Sequence, residues 1–130
     1  MDWTEFYSGS IKTIQELIAE FLALHPTDWD TCTKAFCECT TATYMFVDFC
    51  RLNSSQEHVR GSEIFIRAGK GNPDPETYKP GVNDDGDECC NWHVIVEADS
   101  CFIDWTARQY DSARPYPYII PKEQALAAKA

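Results

Sequence analysis

Apolar residues follow patterns typical of helices in two segments of the first 52 residues. Within residues 11–24 they stand three and four positions apart, which predicts an amphipathic helix packed on a core. Ser10 is a candidate cap for its start, and His25-Pro26 ends it. Residues 38–52 are apolar on several sides, which indicates a second, buried helix with Cys39 near its N-terminal end.

The second half of the chain carries strand patterns. Runs rich in β-branched and aromatic residues predict strands over 62–67, 92–97 and 101–105. A turn at Ala98-Asp99-Ser100 joins the last two strands. The long stretch 68–90 is rich in Gly, Pro and acidic residues and is predicted to be a loop.

Helices followed by strands favour an α+β fold, in which N-terminal helices pack on a small antiparallel sheet. With 130 residues, the chain suits one domain over 1–130. In this domain 68–90 is a long acidic loop and 111–130 is an extended, Pro-rich tail. A short helix is predicted from residue 124 to the end.

Charge narrows the set of partners. The chain has 21 Asp and Glu against 11 Lys and Arg, for a net charge of −10. A phosphate backbone or an anionic membrane surface would be repelled, so neither nucleic acid nor membrane is expected as a partner. No apolar run approaches the roughly 20 residues of a membrane span. Residues 1–5 lack the basic and apolar regions of a signal peptide, so a cytoplasmic location is expected.

Seven cysteines give an odd count, so at least one is unpaired within the chain. A reducing compartment favours free thiols over a disulfide framework. A zinc site is a competing use, because Cys32 and Cys37 fall loosely within the spacing of zinc ligands. Adjacent Cys89 and Cys90 are a poor second pair, however, and we expect neither a metal nor a cofactor. The acids of 84–88 lack the spacing of an EF-hand and are expected to form a solvated loop.

The predicted hairpin places a histidine and an aspartate on one face. If the turn is Asp99-Ser100, His93 lies diagonal to Asp104 across the two strands. If the turn is Ala98-Asp99, the two residues lie directly opposite each other. Only a three-residue loop would place them on opposite faces of the sheet. An unpaired carboxylate within the apolar run 102–105 is costly, so Asp104 is expected to orient the imidazole of His93.

A histidine braced by a carboxylate activates a nucleophile. A thiol whose pKa is about 8.5 becomes reactive when a helix N-terminus and an imidazolium lower that pKa. Cys39 meets the first condition, and His93 supplies the second. Asp104 then holds the imidazole tautomer, as the third member of an acyl-transfer triad does.

Residues 92–110 resemble the C-terminal half of papain-like and transglutaminase-like cysteine enzyme domains of bacteria, phages and bacterial toxins. Those domains have a His that opens one strand and an aliphatic-aliphatic-Asp-x-Thr-Ala-Arg-Gln-aromatic segment on the next. The corresponding segment here reads Phe102-Ile103-Asp104-Trp105-Thr106-Ala107-Arg108-Gln109-Tyr110. Their nucleophile begins an upstream helix that reads Cys-x-x-Ala-Ser, and Cys39-Thr40-Thr41-Ala42-Thr43 is similar. The resemblance covers roughly residues 36–120.

The resemblance implies a papain-like or transglutaminase-like fold and the triad Cys39, His93 and Asp104. The chain departs from the family where a Gly commonly precedes the nucleophile by two residues. Cys37 stands there, and it remains an alternative nucleophile. Arg108 is expected to pair with an acid, and Gln109 to hydrogen-bond the loop near the site.

The predicted function is thiol-dependent acyl transfer on an amide of a protein or peptide substrate. A cysteine peptidase, a glutamine deamidase and a transglutaminase-like enzyme share this machinery. The sequence does not choose among them, because the acyl acceptor leaves no motif. The alternative is a catalytically inactive phage-type protein that keeps the fold and binds or inhibits a host factor.

Overall fold

The computed structural model describes residues 11–67, 90–109 and 113–124, with side chains for all of these except 64–67 and 90–92. Within these ranges the fold is α+β, with helices followed by one four-stranded antiparallel sheet in the order β1-β2-β3-β4. The helices are α1 (Ile14–Leu24), α2 (Cys32–Ala35), α3 (Cys39–Leu52) and a 3₁₀ helix (Ala107–Gln109). The strands are β1 (Arg60–Arg67), β2 (Cys90–Glu97), β3 (Cys101–Asp104) and β4 (Tyr118–Pro121).

Helix α1 begins later than the apolar pattern predicted. Its cap is Thr13 and not Ser10. The Thr13 hydroxyl accepts the N–H of Glu16 at 3.1 Å, and the Glu16 carboxylate accepts the N–H of Thr13 at 3.2 Å. This capping box stabilises the start of the helix and leaves Ile11 exposed before it. The predicted end at His25 is confirmed.

Helix α3 starts within one residue of the prediction, but it is not buried on all sides. Its buried residues lie on one face and are Ala42, Thr43, Phe46 and Cys50. Tyr44 and Met45 are exposed on the other face. The helix is therefore amphipathic, and its buried face contacts β1 and β2.

Aromatic rings fill the space between the helices and the sheet. Phe21 of α1 lies at the centre, with ring centroids 5.2 Å from Phe46 and 4.8 Å from Trp105. Val96 of β2 and Ile103 of β3 belong to the same buried cluster, so one face of the sheet closes this core. Edge-to-face contacts of this kind stabilise a core beyond the area that they bury.

The β2–β3 hairpin has the first of the two predicted registers. Val96 pairs with Ile103, and Glu97 pairs with Phe102. The N–H of Ala98 donates to the carbonyl of Cys101 at 2.8 Å, which closes a two-residue turn at Asp99-Ser100. His93 is therefore diagonal to Asp104, as that register predicted.

The tail contains a strand that the sequence analysis missed. Residues 118–121 form β4, which pairs with β3 from Asp104↔Tyr118 to Cys101↔Pro121. The segment is short and Pro-rich, so its pattern indicated only an extended chain. Pro121 is tolerated because β4 is an edge strand. Apart from Gln124, the helix predicted from residue 124 onward lies outside the described residues, and so does nearly all of the predicted loop 68–90.

No helix among the described residues combines the length and the apolarity that crossing a bilayer requires.

Candidate active site

The site lies where the sheet opens between β2 and β3. Backbone groups of successive residues on a strand point to alternate neighbours. Because Ala98 donates to β3, the groups of Val96 and Val94 also point toward β3. Pairing between the strands is seen at Val96 and Glu97, and β3 ends at Asp104. The N–H and C=O of Val94 therefore lie beyond the ladder and need other partners.

The first turn of α3 supplies these partners. The hydroxyl of Thr43 donates to the carbonyl of Val94 at 3.1 Å. The backbone N–H of Val94 acts electrostatically on the sulfur of Cys39 and helps to lower the pKa of that thiol. Residues four apart lie one above the other on a helix, so Cys39 and Thr43 present one edge of α3 to one residue of β2. This contact places the predicted nucleophile at the opening of the sheet.

His93 and Asp104 form a buried pair. The Nε2 atom of His93 lies 2.7 Å from Oδ2 of Asp104, and the exposed fractions of the two side chains are 0% and 1%. The predicted proximity of the two residues is confirmed. The pairing satisfies a carboxylate whose burial alone would be costly.

The second oxygen of Asp104 is held by Thr106. Oδ1 accepts the N–H of Thr106 at 2.8 Å and its hydroxyl at 3.3 Å. Hydrogen bonds at both oxygens fix the plane of the carboxylate. The carboxylate in turn fixes the ring of His93.

The two ring nitrogens of His93 have different surroundings. Nε2 faces Asp104, which leaves Nδ1 for the contact with Cys39. Nε2 of Gln109 lies 3.4 Å from Nδ1 and 3.2 Å from the hydroxyl of Thr106. Since Asp104 holds the proton on Nε2, Nδ1 is the nitrogen that exchanges a proton with the thiol.

Burial and charge act in opposite directions on His93. Burial lowers its pKa, but the negative charge of Asp104, the hydrogen bond to Asp104 and the interaction with Cys39 outweigh burial and raise the pKa to about 9. The imidazole is therefore protonated at neutral pH. A protonated ring beside a thiol stabilises the thiolate.

Cys39 shows the reciprocal effect. Partial burial raises the pKa of its thiol, but the hydrogen bond and charge of His93, followed by the N–H of Val94, outweigh burial and hold the pKa below its ordinary value. The sulfur is also 4.0 Å from the hydroxyl of Thr40. Both shifts favour a thiolate–imidazolium pair over a neutral thiol and a neutral imidazole.

Cys37, the alternative nucleophile, has an exposed side chain two residues before Cys39. Its φ angle is 61°, in the left-handed region that favours glycine. A cysteine thus occupies a backbone conformation suited to the Gly found in the family that the sequence resembles. The thiol that interacts with His93 and raises the pKa of its ring is that of Cys39.

The residues after Asp104 tie the site to the rest of the fold. Arg108 donates to the main-chain carbonyls of Asp30 at 2.7 Å and Arg114 at 2.8 Å, so these bonds are to backbone oxygens and not to the predicted acid. The thiol of Cys32 donates to the carbonyl of Gln109 at 3.5 Å. The side chain of Gln109 thus lies at the site, as expected, while its backbone contacts α2.

Thr43 and Val94 are the site residues that the sequence analysis did not predict. The signal for Thr43 was present, since it ends the segment Cys39-Thr40-Thr41-Ala42-Thr43 at a spacing of one helical turn. The role of Val94 carries no side-chain signal, because its backbone makes both contacts. Only the end of the β2–β3 ladder reveals it.

Among the described residues, no group of three or more His, Cys, Asp or Glu side chains is arranged to hold a metal ion. The five cysteines whose side chains are described, Cys32, Cys37, Cys39, Cys50 and Cys101, are free thiols. The second pair of candidate zinc ligands was Cys89 and Cys90. Cys89 lies outside the described residues, and the side chain of Cys90 is not described. The acids of 84–88 also lie outside them.

No family model, curated protein or solved structure matches this chain. Its class is therefore defined by its own geometry. It is an α+β protein in which a buried His–Asp pair meets a thiol of lowered pKa at the start of a helix.

Proposed function

We propose that the protein is a cysteine-dependent acyl-transfer enzyme of papain-like or transglutaminase-like fold that acts on an amide of a protein or peptide. Cys39 is the nucleophile, His93 transfers the proton, and Asp104 orients His93. The observation that carries the proposal is the buried contact of 2.7 Å between Nε2 of His93 and Asp104, which leaves Nδ1 of the same ring for the thiol of Cys39, whose pKa His93 lowers. A purely structural ion pair has no need of a thiol at its second nitrogen.

In the first half-reaction, the thiolate of Cys39 attacks the amide carbonyl and forms a tetrahedral intermediate. The first backbone N–H groups of a helix have no partner within it, and the side chain of Glu38 does not cap α3. The N–H of Cys39 is therefore available to stabilise the oxyanion. His93 gives its Nδ1 proton to the leaving amine, the C–N bond breaks, and a thioester remains on Cys39.

In the second half-reaction, water or a primary amine attacks the thioester. The neutral His93 takes a proton from the attacking group, the C–S bond breaks, and the thiolate–imidazolium pair is restored. Water yields peptide hydrolysis or glutamine deamidation, and an amine yields transamidation. The proposed setting is the cytoplasm, where a reducing environment keeps the thiolate available.

Thiol labelling tests the proposal. Iodoacetamide at neutral pH, followed by mass spectrometry of each cysteine peptide, should modify Cys39 much faster than the other six cysteines. His93→Ala should abolish this preference. The matched control is His58→Ala, which removes an exposed imidazole and should leave the preference intact.

Uniformly slow labelling of all seven thiols would contradict the proposal and favour the inactive binding protein. If Cys39 does react selectively, glutamine-containing peptides separate the three chemistries. Shorter peptides indicate hydrolysis, released ammonia with Glu in place of Gln indicates deamidation, and incorporation of a labelled primary amine indicates transamidation.

A further inference from the structure

We propose that Thr43 is a positioning residue, whose hydroxyl holds the first turn of α3 against β2 so that Cys39 meets both the N–H of Val94 and the ring of His93. This inference rests on the proposed function, in which Cys39 is the nucleophile. It concerns a residue that does not itself touch the reacting atoms.

Thr43 joins the first turns of α3 to β2. Thr43 is 2% exposed, and its hydroxyl reaches the carbonyl of Val94 at 3.1 Å. One turn earlier lies Cys39, whose pKa is lowered in part by the N–H of the same residue. One turn advances a helix by about 5.4 Å, so the bond from Thr43 holds the turn that carries Cys39 against β2.

The hydroxyl of Thr43 does not bond within its own helix, as a threonine hydroxyl in a helix ordinarily does. Such a hydroxyl usually bonds a carbonyl of the preceding turn. Here it instead donates to a carbonyl 51 residues away in sequence. That carbonyl lies beyond the β2–β3 ladder, and the hydroxyl replaces the missing strand partner.

Loss of the hydroxyl should therefore change the chemistry of Cys39. Without it, the tip of α3 is free to shift away from β2. The sulfur then loses the N–H of Val94 and the charge of His93, which are the groups that hold its pKa down. The reactivity of Cys39 thus reports on a residue four positions away.

Two pairs of variants isolate the hydroxyl. Thr43 and Thr43→Val have nearly the same shape, while Thr43→Ser and Thr43→Ala both lack the methyl group. The measurement is the pH dependence of iodoacetamide alkylation at Cys39, followed by mass spectrometry, with thermal melts recorded for each protein. The matched control is Thr41→Val, the same substitution at an exposed position of α3.

We expect wild type, Thr43→Ser and Thr41→Val to share one alkylation midpoint. Thr43→Val and Thr43→Ala should raise it by about one pH unit, so the rate below the midpoint falls roughly tenfold. If Thr43→Val is too unstable to assay, the comparison of Thr43→Ser with Thr43→Ala decides, since these differ only in the hydroxyl.

A lower melting temperature with an unchanged midpoint would overturn the inference, because the hydroxyl would then stabilise the fold without positioning Cys39. A raised midpoint in Thr43→Ser would overturn it too, by assigning the effect to the methyl group. Failure of the proposed function is a separate result, in which wild-type Cys39 itself has an ordinary midpoint.

Discussion

The two ends of helix α3 each carry a cysteine, and their thiols differ in pKa. Cys39 begins the helix and has a lowered pKa. Cys50 lies in the last turn, is fully buried, and has its pKa raised by burial to about 12. Burial raises the pKa at both positions, so the difference comes from the groups that face each sulfur.

Cys50 packs within the aromatic core, where burial is the cause that sets its pKa. Cys39 faces the opening of the sheet, where the N–H of Val94 and the ring of His93 favour the thiolate. Its position in helix α3 therefore does not by itself lower the pKa of a cysteine. The pKa of Cys39 is lowered because the β2–β3 ladder ends beside it, where a backbone N–H and a charged ring can act on the sulfur.

The largest expected effect is the difference in alkylation rate between Cys39 and Cys50. Under native conditions, iodoacetamide should modify Cys39 at least about 10³-fold faster than Cys50, because Cys50 is protonated and becomes accessible only through opening of the core. A labelling pulse read by mass spectrometry at each cysteine measures the gap. In strong denaturant the two rates should converge, which is the internal control. If the native alkylation rates of Cys39 and Cys50 lie within tenfold of each other, the two thiols do not differ in the way that their surroundings predict.

The next effect comes from removing the charge behind His93. Asp104→Asn takes away the negative charge that raises the pKa of His93, so the ring is less protonated and stabilises the thiolate less. Alkylation of Cys39 at neutral pH should fall roughly tenfold to a hundredfold. Asp48→Asn, at an exposed carboxylate of α3, is the control and should label normally. An unchanged rate in Asp104→Asn would show that Asp104 does not act on the thiol.

The same comparison explains which parts of the site could be predicted from the sequence. His93 and Asp104 lie on neighbouring strands joined by a short turn, so their proximity follows from period-two alternation and the turn length. Cys39 at a helix start follows from the apolar pattern of 38–52. Each of these inferences uses local information.

The remaining parts depend on contacts between distant segments. The carbonyl of Val94 is 51 residues from the hydroxyl of Thr43, and neither partner reveals the other by its spacing. Strand β4 was missed because only its pairing with β3 distinguishes it from an extended tail. The exposed face of α3 was missed because Tyr44 and Met45 are apolar, although they lie away from the core. Solvent exposure follows from tertiary packing and not from residue type.

A smaller effect is expected in the pH dependence. Alkylation of Cys39 should show a lower midpoint than that of the same cysteine in His93→Ala, and turnover should decline above about pH 9, where His93 loses its proton. Alkylation and turnover rates measured across this pH range test both the midpoint of Cys39 and the decline that His93 causes. Turnover that keeps rising above pH 9 would contradict the role of His93 as the acid.

The free energy of unfolding should also depend on the protonation of His93. The folded pKa of His93 is raised above 6.5, so its contribution to the free energy of unfolding is complete below pH 6.5 and is lost as the pH rises through about 9. Cys39→Ser removes the thiol that interacts with His93. Because the buried thiols of Cys50 and Cys101 affect stability only above their unfolded pKa of about 8.5, denaturant titrations between pH 6.5 and about 8.5 report on His93. In the double variant Cys39→Ser, Asp104→Asn, the free energy of unfolding should decline less over this range, because the charge that mainly raises the pKa of His93 is absent.

The smallest effect concerns Cys37, the neighbour that shares the helix tip with Cys39. Its φ of 61° costs a non-glycine residue about 1–2 kcal/mol, while glycine loses about 0.5–1 kcal/mol more in chain entropy on folding. Cys37→Gly should therefore raise the free energy of unfolding by about 0.5–1 kcal/mol, measured by denaturant titration. Glu38→Gly is the control, since φ there is −105° and the same substitution should destabilise the protein. Selective labelling of Cys39 should persist in Cys37→Gly, because its thiol depends on His93 and Val94. Loss of all fast labelling in this variant would instead assign the nucleophile to Cys37 and reduce Cys39 to a structural residue.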